Sequence, residues 1–136
     1  MNSIYLTVIV LGLSSVFGFW FKKTRGEIRS DVRKLEISAK EVGEKLGSRL
    51  TLLQFSSAFC SPCRTTKILL EQLTKDLPDV KHIDINAESH IDLARSLNIL
   101  STPTTLVLDS DGREIGRAVG VPKREQVLNL LEVFEI

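Results

Sequence analysis

The chain's two cysteines stand three residues apart, in Cys60-Ser61-Pro62-Cys63. A thiol attacks as its thiolate, and at a pKa of about 8.5 only ~3% is ionised at neutral pH. The start of a helix raises that fraction, because its unpaired N–H groups and its dipole favour negative charge. The motif is placed for this: the apolar run Leu50 to Ser56 precedes it and a helical pattern follows. Pro62 suits a first helical turn, where its missing N–H costs nothing. One helical turn brings the two sulfurs within bridging reach, with Cys60 the more exposed and Cys63 deeper. Cys-x-x-Cys beside a β-α-β pattern points to thiol–disulfide exchange.

Two blander uses weigh less. As a structural crosslink, so short a loop contributes only about 2 kcal/mol by chain entropy. As half of a zinc site, the pair needs two more ligands. The remaining imidazoles, His82 and His90, stand at no zinc-finger spacing, so no metal is expected. His82 reads as a packing or surface residue of a strand, and His90 as a solvated helix start. Phe55 and Phe134 read as core, and Arg64 as an exposed helix residue.

The elements around the motif follow from periodicity. Lys34 to Ser38 alternates as a short strand, and Ser38-Ala-Lys-Glu41 has capping-box spacing. Ala39, Val42 and Leu46 share a helical face, and Gly47 is the expected stop. Leu50 to Ser56 suits a buried strand. The helix after Cys60 carries Leu69, Leu70, Leu73 and Leu77 and is expected to end at Pro78. A strand over Val80 to Ile85 and a helix over Glu88 to Leu97 follow. Thr104 to Leu108 and Glu114 to Val119 form a hairpin around Asp109-Ser-Asp-Gly112. Lys123 to Phe134 is a closing amphipathic helix. The order β-α-β-α-β-α-β-β-α gives an α/β sheet that is parallel across the helices and antiparallel in the last hairpin.

The N-terminus is different in kind. Met1 to Phe21 has no ionisable side chain. The apolar run Ile4 to Phe21 covers about 27 Å as a helix, close to the ~30 Å hydrocarbon core. Tyr5 and Trp20 suit its two interfaces, and Lys22, Lys23 and Arg25 follow as a basic stop. A cleaved signal would carry its charge before the run and small residues after it; here the charge follows, and Phe19-Trp20-Phe21 is bulky. The reading is a retained single-pass anchor in the cell membrane, contacting lipid through residues 4–21. Charge on the C-terminal flank alone places the rest of the chain in the cytoplasm by the positive-inside rule.

The whole-chain figures fit this division. The 136 residues carry a net charge of +1, with 43% hydrophobic and 26% charged residues, which excludes a disordered chain. Residues 1–25 hold three basic groups and no acid, and the rest is slightly acidic, so nothing suggests a nucleic-acid partner.

Gln54-Phe-Ser-Ser-Ala-Phe-Cys60-Ser-Pro-Cys63-Arg64 resembles the active-site segment of the thioredoxin family. Ser101-Thr-Pro103-Thr104 resembles that family's cis-proline loop, and Val119-Gly120-Val-Pro its closing glycine. The resemblance implies a thioredoxin fold, a central mixed sheet flanked by helices, here preceded by a transmembrane helix. The resemblance covers a thioredoxin-like domain (33–136); the apolar run gives the anchor (1–23), and the polar, charged stretch between them reads as a juxtamembrane linker (24–32). The resemblance also implies the roles. Cys60 is the nucleophile and Cys63 the resolving cysteine. Phe59, Ser61, Pro62, Thr102, Pro103 and Gly120 form the substrate surface, with a cis Thr102–Pro103 bond. The redox centre is the cysteine pair itself, with no added cofactor. Partners would be protein disulfides and a reductase or membrane redox partner.

The chain departs from the family where Phe59 replaces a tryptophan and where Gln54 replaces a buried acid; His82 stands where a lysine is usual. The leading function is a tethered reductant of protein disulfides on the cytoplasmic face. Its rivals are an outward-facing cell-envelope oxidase, isomerase or reductase, a non-catalytic peptide-binding module, and a metal-transfer site.

Overall fold

The long apolar run forms one helix, α1 (Asn2–Thr24), in a computed structural model that describes residues 1–24, 28–29 and 36–134. It is long and apolar enough to cross a membrane, and none of its spanning window is buried among the described residues. The hydroxyls of Thr7, Ser14 and Ser15 each donate to the carbonyl four residues back, at 2.8 Å. That satisfies them within the helix.

The remaining elements are β1 (Ile28–Arg29), α2 (Ala39–Val42), β2 (Leu50–Ser56), α3 (Ser61–Thr74) and β3 (Val80–Asn86). They continue with α4 (Ile91–Ser96), β4 (Thr104–Leu108), β5 (Glu114–Val119) and α5 (Arg124–Val133). The sheet runs β1-β5-β4-β2-β3; β2 and β3 are parallel and the other pairs antiparallel. One row crosses it as Ile28, Ala118, Thr105, Gln54 and Asp84.

The continuous apolar run of β2 is explained by burial on both faces. Leu53 and Phe55 join Ile83, Ile85, Leu97 and Leu106 on one side. Leu50 and Leu52 join Leu70, Val107, Val127 and Leu131 on the other, beneath α3 and α5. Gln54 follows Leu52 onto that second face and is completely buried. A buried fork from Arg117 to Glu114 also reaches the Leu97 carbonyl at 3.1 Å, tying β5 to the end of α4.

Several boundaries differ from the expectation for physical reasons. The Ser38–Glu41 capping box forms, but α2 ends at Gly43, whose φ of +80° closes the helix on the Ala39 carbonyl. Gly47 instead lies where an added Cβ would stand 2.1 Å from the Leu50 carbonyl oxygen, so it serves a close backbone approach. Helix α3 stops at Thr74, before Pro78, although Leu77 still packs on the core. Helix α4 starts at Ile91 because Asn86 Oδ1 accepts from the N–H groups of Glu88 and Ser89, holding those residues in a turn. Phe134 is 39% exposed rather than core.

Of the strand expected over Lys34 to Ser38, the first two residues lie outside the described ones. Glu36 bridges Arg113, and Ile37 is buried with its N–H on the Gly112 carbonyl at 2.8 Å. Within the stretch read as a linker, Ile28 and Arg29 add a strand to the β5 edge.

Candidate active site

Three loops meet at one end of the sheet, at the C-terminal ends of β2 and β5 and the start of β4. The first carries the cysteines. Cys60 is the N-cap of α3 and its Sγ accepts from the Cys63 N–H at 3.2 Å. Ser61 and Pro62 form the first turn and are exposed. Cys60 is half-buried and Cys63 is buried. The two are joined as a disulfide, with Cα atoms 5.2 Å apart. A helix start bearing a sulfur at its cap favours the thiolate once that bond is reduced.

The second loop carries Thr102 and Pro103, joined by a cis peptide bond. Pro103 is buried, and the Thr102 and Ser57 hydroxyls lie 2.9 Å apart, linking this loop to the one before Cys60. The third loop holds Gly120, whose φ of +87° suits glycine and whose N–H donates to the Pro103 carbonyl at 2.8 Å. Phe59 is fully exposed beside Cys60, and Leu100 is 86% exposed ahead of the cis bond. The end of the sheet thus presents a half-buried sulfur with exposed apolar side chains on the loops that meet there.

Behind Cys63 lies a polar network. Gln54 Nε2 donates to the Cys63 carbonyl at 2.9 Å and to Ser56 Oγ at 3.0 Å. The Ser56 hydroxyl donates to Asp84 Oδ1 at 2.6 Å, and Lys67 Nζ stands 3.8 Å from Asp84 Oδ2. The Cys63 carbonyl can only accept, so the amide nitrogen faces it and Oε1 faces His82 Nε2 at 3.0 Å. His82 is therefore the donor there, with its proton on Nε2. Burial pushes the His82 pKa below the ordinary imidazole value, against the pull of Asp84 and Glu71 and with help from Lys67.

Sequence reasoning singled out Gln54 and missed Ser56 and Asp84; it read His82 as packing or surface, but His82 belongs to this network. The signal was present: Ser56 lies two residues after Gln54 and Asp84 two after His82, on the same faces of paired strands. His90 caps α4 away from this network, with Nδ1 3.1 Å from the Asn86 carbonyl. Arg64 is exposed, as expected.

Comparison with known proteins agrees with the geometry. Residues 34–133 match the family model described as Thioredoxin. The chain is 35% identical to thioredoxin of Chlamydia pneumoniae over 95 residues, covering 70% of this chain and 92% of that one. It is 30% identical to thioredoxin of Chlamydia trachomatis, with the same coverage. Among solved structures, Fasciola hepatica thioredoxin superposes with a TM-score of 0.58 at 23% identity, covering 71% of this chain and 89% of that one. The paired thiols at a helix start thus sit in a chain that belongs to the thioredoxin family, and the protein is a thiol–disulfide oxidoreductase.

Proposed function

We propose that the protein is a membrane-anchored reductant of protein disulfides whose redox domain lies on the cytoplasmic face. The observation that carries the chemistry is the half-buried Cys60 capping α3 with Cys63 buried one turn below. Reduced Cys60 attacks a substrate disulfide as thiolate, forms a mixed disulfide and expels one substrate thiolate. Cys63 loses its proton and attacks Cys60 Sγ, expelling the second. The substrate gains two electrons and the enzyme ends as the Cys60–Cys63 disulfide, which a thiol-reducing partner returns to the dithiol. Phe59, Ser61, Pro62, Thr102, Pro103 and Gly120 form the surface on which an extended substrate segment lies, with the Thr102 backbone pairing to it.

The anchor reading is supported by the length and apolar character of α1, none of whose spanning window is buried among the described residues. The orientation is supported by Lys22, Lys23 and Arg25 on its C-terminal flank.

The test uses the Cys63→Ser chain, which leaves Cys60 as the only thiol. Intact cells receive an impermeant reductant and then an impermeant maleimide. Labelling only after permeabilisation is the expected result. Labelling of intact cells would place the domain outside and make the protein a cell-envelope disulfide enzyme.

A further inference from the structure

We infer that the active-site end of the domain is held against the bilayer, so that the substrates are disulfides of membrane proteins close to the membrane surface. The inference rests on the anchor reading of α1 and adds to it from the register of β1.

Three residues, Arg25 to Glu27, separate the end of α1 from β1. Four Cα steps bridge at most roughly 14 Å, so Thr24 lies within that distance of Ile28. Ile28 is no free tether. It pairs with Ala118, its N–H donates to Gln126 Oε1 of α5 at 3.0 Å, and its side chain packs on the cluster beneath α3 and α5.

The register sets which end of the sheet this is. Ile28 shares a row with Ala118, Thr105 and Gln54. That row lies one residue from Val119 and Thr104, where the substrate loops begin. The far end, at Leu108 and Leu50, is three to four residues or about 10–13 Å further along the strands. Because β1 is antiparallel to β5, its N-terminal end points toward Val119 and Gly120. Cys60 follows β2, three strands across from β1 and so roughly 14 Å to the side.

The charges agree. Exposed Lys123 and Arg124, which follow the third substrate loop, and Arg64, beside the cysteines, add basic groups at the active-site end. At the other end Asp79 is paired with Arg49, and Asp109 and Asp111 face Arg113, so acids and bases balance there. Lys123 and Arg124 beside the substrate loops suit an anionic headgroup surface. A site held this close to the membrane meets a disulfide near the surface at high effective concentration.

The test uses the full chain in vesicles of phosphatidylethanolamine and phosphatidylglycerol carrying a headgroup-linked acceptor. A fluorescent donor goes on Cys60 in the Cys63→Ser chain, or on a Ser110→Cys chain in which both native cysteines are serine. Energy transfer from the Cys60 donor exceeding that from position 110 is expected; equal or reversed transfer overturns the orientation. A chain that fails to float with the vesicles overturns the anchor reading, and this inference with it.

A second readout uses the wild-type chain, reduced beforehand, and a single-pass reporter peptide with one disulfide beside its membrane helix or far from it. The near disulfide should be reduced about tenfold faster. Inserting about a dozen Gly/Ser residues after Thr24, a coil of roughly 20 Å, should erase that preference. Equal rates for both reporters with the wild-type chain would overturn the substrate assignment.

Discussion

The side-chain amide of Gln54 holds the Cys63 carbonyl at 2.9 Å on one side and the His82 imidazole at 3.0 Å on the other. A neutral group therefore occupies the buried position behind the resolving cysteine. The nearest carboxylate in that network, Asp84, is one hydroxyl further away, through Ser56. This arrangement links a single residue of the sequence to the redox balance of the site.

A buried negative charge beside a thiol disfavours its thiolate, and a neutral amide does not. Thiolate stabilisation favours the dithiol, which makes the couple more oxidising. The expected reduction potential therefore lies above the roughly −270 mV of thioredoxin. Gln54→Glu, nearly isosteric, should lower it by on the order of 30 mV at a pH where the new carboxylate is ionised. Equilibration against glutathione reads both values. A wild-type potential at or below about −270 mV, or a variant that does not move, sinks the argument.

How far this site was legible depends on how local each signal is. Cys60, Pro62 and Cys63 declare themselves within four residues, and the Ser38–Glu41 box and the Asp109–Gly112 turn are equally short-range. The strand β2 was readable because burial on both faces leaves a continuous apolar run. Gly43 and Gly47 show where local reading stops. Either could end α2, and the choice belongs to the β2–β3 backbone that crowds Gly47. The pairing of Ile28 with Ala118 was invisible for the same reason: two residues in a polar stretch carry no period, and the partner is 90 residues away. Asp84 was missed because its role exists only once β2 and β3 are in register.

His82 should make stability depend on pH. Its folded-state pKa is depressed, chiefly by burial, so the unfolded chain binds the proton more readily. Stability is then unaffected well above the unfolded value of about 6.5 and is lost as pH falls through it. Glu41 and Asp79, both depressed carboxylates, act only lower, where carboxylates protonate near pH 4. Urea midpoints should therefore fall between about pH 7.5 and 5.5, and His82→Gln should flatten that fall. An equal decline in the variant would assign the effect to another group.

Gly112 closes the β4–β5 turn with a φ of +82°. An added Cβ would stand 2.1 Å from the Ile37 carbonyl oxygen, which is backbone and cannot step aside cheaply. Gly112→Ala combines that clash with left-handed strain and should cost about 2–4 kcal/mol. Gly43→Ala shares the positive φ but has open space around it, and should cost about 1 kcal/mol. Chemical denaturation of the two variants separates strain from crowding; equal losses would mean the hairpin yields to the methyl group.

Glu114 is fully buried, and its carboxylate is held by the Arg117 guanidinium. Removing one partner strands a charge, whereas removing both removes the need for compensation. Glu114→Ala should therefore lose about 3–5 kcal/mol, since among the described residues Arg117 then keeps only the Leu97 carbonyl at 3.1 Å. Glu114→Leu combined with Arg117→Met should recover much of that loss, because the pair's Coulomb energy is largely spent on desolvation. The cycle is read from urea midpoints at neutral pH. A double variant as unstable as Glu114→Ala alone would show that the contact of Arg117 with the end of α4, rather than charge balance, is what β5 requires.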